Sequence, residues 1–75
     1  MELVKNKVSG KSFIVIDDTA DKYIKLITPE GKVKFLDRHL FEPLASADYK
    51  DSLYYDHLTN VQIDRYMEYE KYVNY

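Results

Sequence analysis

The chain has no cysteine and no tryptophan, only two glycines and two prolines among 75 residues, and no long apolar run. Without cysteine there is neither a disulfide nor a thiolate metal site, and the absence fits a reducing compartment. The two histidines, His39 and His57, are too few for zinc, which takes three or four ligands. No metal and no cofactor is expected. The longest apolar run, Phe13 to Ile16, is far below the roughly 20 residues of a membrane-spanning helix. Residues 1–7 lack the apolar stretch of a signal peptide. We expect a cytoplasmic protein with no membrane partner.

Catalytic motifs are also lacking. Gly10-Lys11-Ser12 looks like the end of a phosphate loop, but Lys5 stands where the first glycine belongs and no helix follows. Ser9-Gly10-Lys11 is not a nucleophile elbow. Asp17, Asp18 and Asp21 have neither the alternating spacing nor the glycine and distal glutamate of a calcium loop. They read as a solvated connection, where aspartate hydrogen-bonds its own backbone. No positioned acid–base pair is evident, so we expect no enzyme and no catalytic residue.

What is present divides into two halves. Residues 1–44 hold 8 Lys/Arg and 7 Asp/Glu, whereas residues 45–75 hold 3 and 6. All three phenylalanines lie in the first half, and seven of the eight tyrosines in the second. A chain of this size forms one domain with a single core, of small net stability, roughly 3–5 kcal/mol.

The first half reads as short strands. Leu3, Val4 and Val8 suggest an irregular first strand closed by a turn at Ser9-Gly10. Phe13-Ile14-Val15-Ile16 suits a strand buried on both faces or at a barrel seam. In Tyr23 to Thr28, Ile24 and Leu26 face one side and Tyr23, Lys25 and Ile27 the other. Pro29-Glu30-Gly31-Lys32 predicts a tight turn with Gly31 at positive φ. Val33 to Leu36 then returns as a strand, its Val33 and Phe35 alternating with lysines. Asp37 caps a short helical turn at Arg38-His39-Leu40, and Phe41 to Leu44 closes the series.

The motifs Gly10-Lys11-x-Phe13-x-Val15, Gly31-Lys32-x-Lys34 and Leu40-Phe41-Glu42-Pro43-Leu44, in this order of strands, resemble the SH3-like barrel. There, too, a short 3₁₀ turn precedes the closing strand. The pattern is also similar to short hypothetical proteins of low-GC Gram-positive bacteria and their prophages. The resemblance implies a mainly β fold, a five-stranded SH3-like barrel over about residues 3–44, in a phage or mobile-element accessory protein. It carries over no catalytic motif.

Residues 45–58 show no clear period and read as a connector. From Thr59 or Asn60 to residue 75 a helix is signalled, with Asn60 able to cap it. Ile63, Tyr66, Met67, Glu70 and Val73 share a face flanked by Tyr69. Tyrosine offers contact area with a polar tip, and interfaces enrich it. The leading functional reading is therefore a non-enzymatic protein-interaction module. It contacts a partner, or itself as a homodimer, through an acidic tail bearing Tyr54, Tyr55, Tyr66, Tyr69 and Tyr72. The alternative is a nucleic-acid-binding barrel using Tyr23, Lys25, Lys32 and Lys34, since phosphate contacts need clustered charge and stacking needs exposed rings.

The hairpin supplies the sharpest sequence expectation. Ile24, Leu26, Val33 and Phe35 should be buried together, so Phe35→Ala should cost about 3–5 kcal/mol, while Lys34→Ala should cost less than about 0.5 kcal/mol.

Overall fold

A computed structural model describes residues 2–44 and 58–73, the last two as backbone. Five antiparallel strands form one sheet: β1 (Glu2–Asn6), β2 (Ser12–Asp17), β3 (Tyr23–Ile27), β4 (Val33–Asp37) and β5 (Phe41–Pro43). A 3₁₀ turn, Arg38–Leu40, precedes β5, and a helix, α1 (Asn60–Val73), follows among the described residues. The strand order is β4-β3-β2-β1-β5. Among the described residues no pairing joins β4 to β5, so the sheet is open and the closed barrel of the sequence reading is not seen. The closing strand β5 is only three residues long and pairs with β1 along one edge. The connector at 45–57, His57, Tyr54 and Tyr55 lie outside the described residues.

Turn chemistry sets the two central hairpins. At Thr28–Lys32, the Gly31 N–H donates to the Thr28 carbonyl at 2.8 Å and the Thr28 N–H to the Lys32 carbonyl at 2.8 Å. Gly31 has φ +80°. This is a type I turn followed by a left-handed glycine, the common three-residue hairpin connection. The turn thus begins at Thr28, one residue earlier than the sequence suggests, with Pro29 at its first corner. At the β1–β2 connection the Asn6 side-chain oxygen accepts from the N–H groups of Val8 and Ser9, both at 2.9 Å, and Gly10 has φ +73°. Val8 is carried to the tip of that turn, 91% exposed, instead of extending the strand.

β2 is the centre of the molecule because both its faces are covered. On one face Phe13 and Val15 join Val4, Ile24, Leu26 and Phe41, with Leu36 packed against them. The rings of Phe13 and Phe41 meet edge-on at 5.0 Å, so this face curls far enough for β5 to touch what β2 presents. On the other face Ile14 joins Leu3, Ile27 and Leu58, flanked by Ile16, Leu44, Ile63 and Tyr66. An unbroken apolar run is what a strand covered on both sides requires.

The register of β3 against β4 overturns one expectation. Lys25 stands opposite Phe35, Ile27 opposite Val33, and Ile24 opposite Leu36. Directly paired residues share a face, so Val33 and Phe35 lie with Tyr23, Lys25 and Ile27, and not with Ile24 and Leu26. Phe35 is 64% exposed and Val33 43%. It is Leu36, on the other face, that β4 contributes to the first cluster. The predicted stability loss therefore moves. Leu26→Ala, at a fully buried site, should cost about 2–5 kcal/mol, and Phe35→Ala less than about 1 kcal/mol. Urea unfolding of the two variants checks this; equal losses would contradict the register.

Candidate interaction surface

The sheet face left uncovered is defined by how α1 docks. Thr59 and Gln62 form a capping box. The Thr59 hydroxyl oxygen accepts from the Gln62 N–H at 3.1 Å, and the Gln62 side-chain oxygen accepts from the Thr59 N–H at 3.3 Å. Thr59, and not Asn60, thus caps the helix, because the glutamine three residues on can answer it. The same two residues tie the helix to the sheet. The Thr59 hydroxyl donates to the Pro29 carbonyl at 2.5 Å. The Gln62 amide nitrogen donates to the carbonyls of Ser12 at 2.9 Å and Ile27 at 3.0 Å. Gln62 is fully buried, and both ends of its amide are satisfied.

Two further contacts fix the helix over the β3–β4 turn. The Arg65 Nε–H donates to the Gly31 carbonyl at 2.9 Å. Val61 lies against Gly31 so closely that a Cβ there would stand 2.4 Å from the valine Cγ1 and 3.2 Å from its carbonyl oxygen. Gly31 is thus required twice, once by its positive φ and once by the approach of the helix.

Held this way, α1 turns Gln62, Ile63 and Tyr66 toward the sheet. Met67, which the sequence stripe would bury, is exposed, because buried Gln62 takes its share of the docking face. Glu70, the charge in that stripe, accepts a hydrogen bond from the Tyr66 hydroxyl at 2.8 Å. The helix covers the apolar residues of β1, β2 and the start of the β3–β4 turn. It leaves Val33 and Phe35 on β4, and Tyr23 on β3, facing solvent. The Lys25 ammonium lies 5.5 Å from the centre of the Phe35 ring and 5.9 Å from that of Tyr69. It bridges strand and helix by cation–π contact, worth about 0.5–1 kcal/mol where exposed.

Of the residues singled out from the sequence, Tyr69 borders this face. Tyr66 is engaged in packing, the side chain of Tyr72 lies outside the described residues, and so do Tyr54 and Tyr55. The nucleic-acid set is split. Tyr23 and Lys25 share the exposed face, whereas Lys34 stands opposite Leu26 and projects from the other. Lys32 follows Gly31 at the end of the turn. Val33, Phe35 and Gln62 were not among the candidates. The strand register would have exposed the first two, and the Thr-x-x-Gln spacing of 59–62 the third.

The acidic loop behaves as a solvated connection. The Asp17 carboxylate accepts from the Thr19 N–H at 2.9 Å and its hydroxyl at 2.7 Å. These bonds, the backbone one foremost, hold its carboxyl below the usual range, with the charge of Lys25 adding to the effect. Glu30 is likewise held low, first by its own backbone N–H, then by the Thr28 hydroxyl, with Lys11 and Lys34 nearby. Among the described residues no three potential ligands gather for a metal, and no helix is long and apolar enough to cross a membrane. Two clefts occur. One, of about 150 Å³, is lined in part by Val4, Ile24, Arg38 and Phe41. The other, of about 170 Å³, lies along the helix at Val61, Asp64, Arg65 and Glu68. Both are smaller than the roughly 300–1,000 Å³ of small-molecule sites. Comparison with protein-family models, curated proteins and solved structures finds no match for this chain.

Two substitutions test the docking. Gly31→Ala should destabilise by about 2–4 kcal/mol, combining left-handed strain with overpacking. Adding Val61→Ala should restore part of the loss, and strict additivity in the double-mutant cycle would disprove the contact. Gln62→Glu removes two donors and, when ionised, sets a carboxylate against two carbonyls. Its folded pKa is thereby raised above an unfolded value of about 4.3. The variant's added deficit should be smallest below that pH and grow as pH rises toward the folded pKa. Urea titrations of variant and parent near pH 4 and pH 7 read it; a deficit unchanged between them would refute the buried contact.

Proposed function

We propose that this chain is a non-enzymatic protein-interaction module on an SH3-like scaffold, contacting its partner through the face shared by β4 and α1. The observation that carries the reading is Phe35. A phenylalanine 64% exposed on a strand, with Tyr23 at 53% and Val33 beside it, leaves apolar area in water that a partner would cover. Burying such a ring is worth about 1.5–3 kcal/mol, which makes it a natural anchor for binding. Tyr69 and Lys25 frame the anchor from the helix side. The contact surface proposed here therefore keeps one tyrosine of the tail and adds the strand beside it.

Support for the SH3-like reading comes from the strand order, from the 3₁₀ turn ahead of β5 and from the Phe13–Phe41 contact under the curled sheet. A cytoplasmic accessory role in a prophage or other mobile element is the setting that the resemblance implies. Nucleic acid is the weaker reading, because Lys25 stands between two rings and the other lysines of the set do not share its face.

The test compares two exposed apolar sites. Val8 is more exposed than Phe35 but lies at the β1–β2 turn. A protein recovered from host lysate, purified and recombined with the parent chain, should bind Val8→Asp normally and lose at least about tenfold in affinity for Phe35→Asp, the scale of one anchor residue. Equal binding by both variants would refute the assignment of this face.

A further inference from the structure

β4 is more than the bearer of Phe35. It ends the sheet, with β3 as its single strand neighbour, so along its outer side the outward-pointing N–H and C=O groups, which belong to alternate residues of the strand, have no strand partner among the described residues. Such an edge is a template for another strand. Its two faces differ in chemistry. Val33 and Phe35 point to the face shared with α1, and Lys34 points to the opposite one, as its pairing with Leu26 requires. All three are exposed. A strand added to this edge places its own residues alternately beside the apolar pair and beside the lysine.

That alternation argues against a second copy of the chain. Two β4 strands pairing antiparallel about Phe35 would set Lys34 against Leu36 of the other copy. Pairing about Lys34 would set lysine against lysine. Asp37 cannot answer either lysine, since it shares the face of Phe35 and Tyr23. Like charges directly opposite are destabilising, and opposite charges stabilise. Lys34 thus discourages self-addition, and it favours an incoming strand with a carboxylate at the facing position.

We propose that β4 accepts an extended segment of the partner as a sixth strand, one that alternates apolar residues over Val33 and Phe35 with an acidic residue opposite Lys34. Main-chain hydrogen bonds supply the attachment and the two side-chain rows supply the choice. Phe35 meets the apolar row, with Lys25 and Tyr69 closing its far side. The inference rests on the interaction-module reading and names the partner's chemistry.

The probes are two fluorescent peptides, one alternating valine with glutamate and the other valine with lysine, added to the full chain. The glutamate peptide should bind and shift the backbone amide resonances of residues 33–37, and the lysine peptide should bind at least about tenfold more weakly, the scale of a lost charge pair plus a like-charge contact. Lys34→Glu should reverse that preference, a readout that lost packing would not give. A glutamate peptide N-methylated at alternate residues, on the side that pairs, should not bind. Equal binding of the two peptides, no binding of the glutamate peptide, shifts confined to α1, or a dimer of the free chain paired through β4 would each overturn strand addition. If Phe35→Asp still loses the native partner while the glutamate peptide fails to bind, the interaction face stands and strand addition falls. If Phe35→Asp keeps the partner, the face itself falls.

Discussion

Gln62 reaches two carbonyl oxygens, those of Ser12 and Ile27, at the place where β2 and β3 part from one another. Buried carbonyls at the end of a ladder cost about 1–3 kcal/mol each if left unpaired, and both residues are buried. One glutamine satisfies both, while its own oxygen and N–H close the cap with Thr59. Helix start, helix position and the end of the sheet ladder are therefore one hydrogen-bonded unit. A small domain with no disulfide has few ways to hold in place a helix of 14 residues, too short to persist by itself. Here the polar contacts fix where the helix sits, and the burial of Ile63 and Tyr66 against Leu3, Ile14 and Ile27 makes it favourable to sit there.

The position so fixed decides what stays bare. With Thr59 on Pro29, Val61 on Gly31 and Arg65 on the Gly31 carbonyl, the helix begins at the β3–β4 turn. Its inward side chains then reach toward Leu3, Ile14 and Ile27 on β1, β2 and β3, leaving β4 beyond its flank. The exposure of Phe35 is thus a consequence of docking and register together. Neither can change alone: a one-residue slip of β4 would bury Phe35 but expose Leu36 and turn Lys34 into the place of Phe35.

Much of this arrangement is legible in the chain. The positions of the four later strands, the turn glycine with positive φ, the Asp37 cap on the 3₁₀ turn, and the burial of Phe13 to Val15 all follow from local chemistry and agree with what is observed, whereas the first strand stops at Asn6, short of Val8. What was misjudged depends on long-range pairing. Val33 and Phe35 alternate with lysines as a half-buried strand does, but alternation cannot say which face of β3 they join; the turn's left-handed glycine decides that. The burial of Gln62 is not legible locally, because a glutamine on a helix ordinarily faces water and this one is buried by carbonyls 35 and 50 residues away. The tyrosines misled in the opposite sense. They are conspicuous in composition, yet Tyr66 spends its ring on the core.

The lysine between the rings gives the exposed face its character. An isolated patch of Val33 and Phe35 on the edge strand, with Tyr23 beside it on β3, would invite indiscriminate pairing. Lys25 lies within the reach of both the Phe35 and Tyr69 rings, holding a hydrated charge where an unselective apolar contact would have to desolvate it. Asp17 stands opposite Lys25 in the β2–β3 ladder, so the charge is balanced on the far side and open toward β4. An apolar group can cover Phe35 at little cost only if it leaves the ammonium in contact with water or offers it an acceptor. Edge pairing thus remains available while the cation restricts what can use it, so that the apolar row supplies attraction and the charges on either side supply discrimination.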